Sequence, residues 1–189
     1  MLRALARAIG GVVFALACAL AVIGFALAAL TARVEGTSMT PTLRNGDLLL
    51  VNKFPGGQEP LRRGDIVLLR LGNANAVKRV IGLPGDELEI DHGQVLVKAG
   101  GGGPWRHLSE PYISSRAAID SFCCDLSGRA THTGLPGAIS IPPRRYFVLG
   151  DNRNDSYDSR VFGLVPQDWV AGRVLLRYWP PDRFGTSLS

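Results

Sequence analysis

One serine lies in a short segment whose composition favours a turn. Residues 36–43 read GTSMTPTL, and Gly36 and Pro41 are residue types that favour bent backbone. A serine hydroxyl attacks other molecules only when a nearby base takes its proton. Ser38 is therefore a candidate nucleophile, and the alternative interpretation is a hydroxyl that only hydrogen-bonds within its turn.

One lysine is a candidate for that base. Only three of the 21 basic residues are lysine, at positions 53, 78 and 98. Arginine keeps its proton in proteins, whereas a desolvated lysine can lose it. Lys78 opens the run KRVIGLPGD, and strand alternation places it on the side of Val80, opposite Arg79. As a base near neutral pH, its pKa must fall from about 10.4 to about 7, which burial among apolar side chains favours. The alternative interpretation is a solvated lysine whose stem lies along apolar surface.

The densest polar cluster of the chain is residues 150–163, GDNRNDSYDSRVFG. Short polar side chains usually form surface loops because Asn, Asp and Ser hydrogen-bond to their own turns. Asp158 and Arg160 are two residues apart, so an extended backbone projects both to one side. Loops on a rigid scaffold also carry active-site groups, and the sequence alone leaves both interpretations open.

The remaining cysteine and histidine residues do not predict a metal site. Cys123 and Cys124 are adjacent, and a disulfide between neighbours requires a strained ring. His92, His107 and His132 lack the spacing of metal ligands. We therefore expect no metal. We also expect no other cofactor and no nucleic-acid partner.

Most of the chain after its first 32 residues is predicted to form short strands. The 189 residues are 46% hydrophobic and 20% charged, which fits one membrane span with one modest domain and excludes a large multidomain enzyme or a disordered chain. No later run has helical spacing, so we expect a mainly β fold, with a hairpin turn at residues 91–93. Runs rich in Val, Leu and Ile between turn residues predict the strands Leu48–Asn52, Asp65–Leu71, Ala76–Ile81, Glu87–Ile90, Gln94–Lys98, Tyr146–Leu149 and Val170–Tyr178.

The predicted strands divide the chain into domains. We expect a catalytic β-domain from residues 33–99 and 145–180, with a loop-rich insertion at residues 100–144 and a tail at residues 181–189. The insertion starts with four glycines, which indicate a flexible connection rather than a phosphate-binding loop, since no P-loop lysine follows.

The N-terminal region is predicted to anchor the chain in a membrane. Residues 8–31 carry no charged side chain, and residues 8–32 as a helix are long enough to cross a bilayer. Arg3 and Arg7 precede this span, so the positive-inside rule leaves residues 1–7 in the cytoplasm and the later residues outside. The alternative is a cleaved secretory signal, although the apolar core of such signals is usually shorter.

The serine, lysine and polar segments described above resemble, in the same chain order, those of the bacterial type I signal peptidases. The run at residues 38–42 resembles the family's nucleophile box, residues 78–86 its general-base box and residues 150–163 its final box. Residues 46–53 and 63–67 resemble the strand motifs between them. The resemblance implies an antiparallel β-sheet catalytic domain behind one transmembrane helix.

The resemblance also implies a role for each site residue. Ser38 would be the nucleophile, with its backbone N–H donating to the oxyanion, and Lys78 the general base. Ser156 would orient the lysine. Gly36 stands where one branch of the family has a serine that donates to the oxyanion, so that side-chain donor is missing here. The matches to the family's structural ion pairs are Asp151, Arg79, Asp158 and Arg160.

The function implied is a membrane-bound serine endopeptidase that removes signal peptides from secreted preproteins after A-x-A. The enzyme would be a monomer in the bacterial plasma membrane, with the lipid bilayer as a further partner and its catalytic domain on the outer face. Met39 and Phe54 would line substrate pockets or touch lipid, and for Trp179 we expect core packing.

Two other functions are compatible with the sequence. A specialised relative, such as a conjugation-pilus peptidase, would share the same site and differ only in substrate. A non-catalytic, membrane-tethered β-domain could use the net charge of +5 to bind acidic partners. The basic residues are scattered rather than clustered, which disfavours this second alternative.

Overall fold

The computed structural model describes residues 10–20, 30–53, 60–91, 93–113 and 137–185. The chain divides into two compact units, Met1–Thr31 and Ala32–Ser189. In the first unit, residues 10–20 form a helix, α1. Within the described ranges no helix has both the length and the apolar character needed to cross a membrane. Part of the predicted span lies outside these ranges, and its last two positions, Thr31 and Ala32, belong to a strand.

The second unit is built mainly from β-strands, as the sequence predicts. All seven predicted strands are present, and their ends differ from the prediction by at most two residues. The strands are β1 (Thr31–Arg33), β2 (Leu48–Asn52), β3 (Ile66–Leu71), β4 (Ala74–Gly82), β5 (Glu87–Asp91), β6 (Gln94–Lys98), β7 (Arg106–His107), β8 (Ile139–Ser140), β9 (Arg145–Leu149), β10 (Val165–Pro166) and β11 (Val170–Trp179). The helical elements are α2 (Ser159–Phe162) and the 3₁₀ turns Ala99–Gly101, Gln167–Trp169 and Pro181–Arg183.

Among the described residues, seven strands form the main sheet, in the order β1-β2-β11-β3-β4-β9-β10. Every pairing with a defined register is antiparallel. β3 contributes to both sides of this sheet: Ile66 and Leu68 belong to one core cluster, and Val67 and Leu69 to another. Burial on both faces explains why this strand reads as a continuous apolar run.

A second sheet joins the hairpin to one strand from each of the two described parts of the predicted insertion. β5 and β6 pair with Asp91 opposite Gln94, and β7 and β8 flank them in the order β7-β6-β5-β8. β7 and β8 lie within residues 100–144, so the described parts of this range pair with residues 87–98 in one sheet. The reason is a shared core, in which Leu88 and Val95 pack with Ile139.

Candidate active site

The turn that carries Ser38 is held by hydrogen bonds at both of its ends. Gly36 has a positive φ of 86°, a conformation that glycine adopts easily, and its N–H donates to Asn45 Oδ1 at 3.0 Å. The Thr40 N–H donates to the Thr37 carbonyl at 3.0 Å, and the Leu43 N–H to the Met39 carbonyl at 2.8 Å. Ser38 is half-buried on this turn.

Lys78 lies in β4, a strand buried on both sides at this point. Its side chain is 4% exposed, and Arg79, Val80 and Ile81 are buried as well. The alternation expected from the sequence therefore leaves no solvated face here. The interpretation of Lys78 as a solvated surface lysine does not fit this burial.

The Lys78 amine and the Ser38 hydroxyl are in direct contact. Lys78 Nζ lies 2.8 Å from Ser38 Oγ, a hydrogen-bond distance. Burial lowers the pKa of Lys78 below its ordinary value, because desolvation disfavours the ammonium. Asp158 and Asp151 oppose this decrease in pKa, while Arg160 adds to it. The pair therefore combines a hydroxyl with an amine whose environment favours the uncharged form.

Strand register brings the polar segment at residues 150–163 to the same place. Leu149, the last residue of β9, pairs with Arg79 in β4, so Gly150 and Asp151 follow directly beside the Lys78 strand. The Asn152 N–H donates to the Ser38 carbonyl at 3.0 Å, and the Asn152 amide donates to the Thr37 carbonyl at 3.3 Å. The turn that carries Ser38 is thus attached to this loop.

Gly150 lies close to the turn that carries Ser38. A Cβ placed on Gly150 would lie 2.4 Å from the Ser38 carbonyl oxygen and 2.2 Å from Ser156 Oγ. Both distances are below van der Waals contact. Only glycine therefore fits at this position without movement of the nucleophile turn or of Ser156.

The four residues expected to form ion pairs do so within the protein interior. The Arg79 guanidinium binds Asp151 through two hydrogen bonds, at 2.8 and 2.7 Å, and both side chains are at most 2% exposed. Arg160 binds Asp158 through two hydrogen bonds of 2.9 Å. Asp158 also accepts the Gly150 N–H at 2.9 Å.

Ser156 differs from the expectation in one respect. Its hydroxyl oxygen is buried and has no hydrogen-bond partner among the described residues, so the expected bond to Lys78 is absent. The hydroxyl nevertheless packs against Gly150, next to the Ser38 carbonyl. A buried polar atom without a partner is uncommon in folded proteins.

The sequence analysis expected specific surroundings for three apolar residues, two of which lie in the described ranges. Met39 is 1% exposed and packs in the core with Leu43 and Leu49, which corrects the expectation of a pocket or lipid contact. The turn directs this side chain inward, where its burial is favourable. Phe54 lies outside the described residues. Trp179 is 52% exposed, which corrects the expected core packing.

The sequence analysis missed three residues that surround the ion pairs. Arg153 and Glu110 form a buried ion pair, and the Tyr112 ring lies 3.8 Å from the Arg79 guanidinium. Glu110 and Tyr112 come from the predicted insertion, for which the sequence indicated only a flexible connection. Among the described residues, no cluster of His, Cys, Asp and Glu side chains could hold a metal ion.

Comparison with protein families places these features in a known group. The family described as "Signal peptidase, peptidase S26" matches residues 5–179, which includes every site residue named above. The chain belongs to this signal peptidase family.

Relatives within the signal peptidase family cover most of the chain. A signal peptidase I of Bacillus caldolyticus is 40% identical over 154 residues, which are 80% of both chains. A signal peptidase IB of Staphylococcus aureus is 34% identical over 155 residues, covering 80% of this chain and 78% of that protein. A crystal structure of a signal peptidase I from Enterococcus faecalis V583 aligns with a TM-score of 0.44 at 30% identity, covering 62% of this chain and 98% of that one.

Proposed function

We propose that this signal peptidase is a serine endopeptidase that removes N-terminal signal peptides from secreted preproteins, with Ser38 and Lys78 as its catalytic dyad. The observation that carries the dyad is the 2.8 Å separation of Lys78 Nζ and Ser38 Oγ, with the lysine 4% exposed. A hydroxyl needs a base within hydrogen-bond reach, and that base must be unprotonated.

The reaction proceeds in two stages through an acyl-enzyme. Ser38 Oγ attacks the carbonyl carbon at the end of the signal peptide while its proton passes to the neutral Lys78 amine. The resulting ammonium returns this proton to the leaving amine of the mature protein as the peptide bond breaks. Lys78 then takes a proton from water, the hydroxide attacks the acyl carbon, and the ester bond to Ser38 Oγ breaks with return of the proton to Ser38.

The negative charge on the carbonyl oxygen needs hydrogen-bond donors, each worth about 3 kcal/mol or more in such sites. We assign one donor to the backbone N–H of Ser38. Gly36 has no side chain to donate, and its N–H already donates to Asn45. The Thr37 hydroxyl donates to Asp155 Oδ2 at 2.6 Å, so it is engaged as well.

Substrate and location complete the proposal. Small pockets accept Ala one and three residues before the cut, in keeping with A-x-A signals. The enzyme is a monomer held in the bacterial plasma membrane by its N-terminal region, with the catalytic domain on the outer face. Tethering to the same surface as the substrate raises the local substrate concentration.

The dyad is tested by cleavage of a preprotein with an A-x-A signal by the full chain in detergent. Ser38→Ala and Lys78→Met should each lower kcat by about 10⁴-fold or more, because removal of either member of a catalytic pair disables the whole pair. Lys98→Met is the matched control, since Lys98 pairs with the partly exposed Glu87 in the second sheet. Cleavage at the normal rate in Lys78→Met would exclude the lysine as the base.

A further inference from the structure

The short turn at residues 110–113 contacts two of the buried arginines beside the active site. Glu110 binds Arg153 through both carboxylate oxygens, one of them at 3.2 Å from Arg153 Nη1. The Tyr112 hydroxyl donates to Glu110 Oε1 at 2.8 Å, and its ring lies over the Arg79 guanidinium. Two side chains from one turn therefore join both arginines in one network.

The two arginines hold the loop that contacts the nucleophile turn. Arg153 Nε donates to the Gly150 carbonyl at 3.2 Å, and Arg79 binds Asp151, the next residue. Gly150 packs against the Ser38 carbonyl, and Asn152 donates to the same carbonyl. Glu110 is therefore connected to the Ser38 turn through Arg153, which binds the Gly150 carbonyl, and through the contact of Gly150 with Ser38.

Burial makes this network sensitive to the loss of a single charge. The side chains of Arg153 and Glu110 are 1% and 5% exposed. An arginine buried to this extent cannot lose its proton, and without its carboxylate it must move toward water or leave its charge unpaired. Movement of Arg153 toward water would shift or break its hydrogen bond to the Gly150 carbonyl.

We propose that Glu110 and Tyr112 are positioning residues of the peptidase, which keep residues 150–152 in contact with the Ser38 turn through Arg153 and Arg79. This inference rests on the proposed function. It gives the first part of the predicted insertion a role in catalysis, although neither side chain touches Ser38 or Lys78.

The test compares kcat and KM of the full chain in detergent, using a preprotein substrate and temperatures well below unfolding. Glu110→Gln should lower kcat about 10–100-fold, because small displacements of reacting groups have effects of this size. KM should change less than about threefold, since Glu110 is too buried to touch substrate. Tyr112→Phe keeps the ring over Arg79 and removes one hydrogen bond, so its kcat should fall about three- to tenfold.

A double substitution separates positioning from general destabilisation. If Glu110 acts through Arg153, adding Arg153→Lys to Glu110→Gln should lower kcat no further than the more damaging single change. Glu87→Gln is the matched control, because it removes a carboxylate from the more exposed ion pair with Lys98, and its kcat should stay at the unmutated value.

Two results would overturn the positioning role. One is a kcat within about twofold of the unmutated enzyme in the folded Glu110→Gln variant, and the other is full multiplication of the two losses in the double variant. If Glu110→Gln does not fold, Tyr112→Phe decides, and an unchanged kcat there counts against the proposal. Absence of cleavage by the unmutated chain would overturn the proposed function and this role with it.

Discussion

In the proposed mechanism, the burial of the Lys78 amine makes the rate depend on pH. Its pKa is lowered by desolvation, and only the neutral amine can accept the Ser38 proton. We predict that kcat/KM rises as pH increases through this lowered pKa, because the fraction of neutral amine increases. Peptide cleavage measured from pH 5 to 10 tests this, and a flat profile would contradict a lysine base.

Ser156 could stabilise the fold or orient Lys78, and substitution of its hydroxyl distinguishes these two roles. Because its oxygen forms no hydrogen bond with the described residues, Ser156→Ala should leave the free energy of unfolding the same or raise it by up to about 1 kcal/mol. If the hydroxyl orients Lys78 once substrate is bound, kcat should still fall by about 10-fold or more.

For Ser156→Ala, urea unfolding measures the free energy of unfolding, and peptide cleavage measures kcat. A large loss of stability would show that the hydroxyl has a structural partner. An unchanged kcat would remove Ser156 from the group that orients the lysine. Ser140→Ala, at an exposed position in β8, is a suitable control for the loss of a serine hydroxyl.

The loop at residues 150–163 contacts the turn that carries Ser38, and this contact depends on the absence of a side chain at Gly150. In Gly150→Ala the new Cβ would meet the Ser38 carbonyl and Ser156, so the Ser38 turn must move. We predict a loss of kcat of about 10²-fold with smaller changes in KM, measured on a soluble peptide. Gly102→Ala should be nearly neutral, because its φ of −120° lies outside the left-handed region and an added Cβ would lie 3.9 Å from the Gly100 carbonyl oxygen, an ordinary contact. Equal kcat of Gly150→Ala and Gly102→Ala would show that the loop accommodates the new Cβ without displacing Ser38.

Strand pairing accounts for the assembly of the site from distant segments. β4 carries Lys78, and the register of β9 against β4 places Gly150 and Asp151 beside it. The Asp151–Arg79 ion pair and the Asn152–Ser38 hydrogen bond then join the loop to β4 and to the nucleophile turn. Each element thus contributes one part of the candidate site, and Ser38 and Lys78 come from different elements.

The division of the whole molecule into two units leads to a prediction about the N-terminal region. Residues from Ala32 onward form a compact unit of their own, which contains every site residue. We predict that a chain starting at residue 30 folds and cleaves a soluble peptide with kcat/KM within about threefold of the full chain.

The same truncation tests the proposed membrane tether. Cleavage of a preprotein inserted in lipid vesicles should fall by about 10²-fold or more, because the enzyme and its substrate no longer share one surface. The full chain, reconstituted in the same vesicles, is the reference. Equal cleavage by both forms would mean that tethering contributes nothing to the rate.

The positions of the strands and the two catalytic candidates could be predicted from the sequence. Strand signals are local, because alternating or continuous apolar runs between turn residues act over a few positions. The lysine at position 78 was a candidate base for the same reason, although the sequence left open whether its amine is buried or solvated. Two expectations about side-chain surroundings failed: Met39 is buried and Trp179 is exposed. A turn segment and a strand end have no periodicity that predicts which way a side chain faces.

Local patterns thus determined the elements of this protein and the chemistry available to it, while contacts between distant residues were decided only by the tertiary structure. The pairing of Glu110 with Arg153, the ring of Tyr112 over Arg79 and the second sheet all join residues from separate parts of the chain. Their formation depends on how the whole core packs, because a buried charge finds its partner only after the surrounding elements exclude water. Contacts between such distant residues are therefore visible in the folded chain and not in a single sequence.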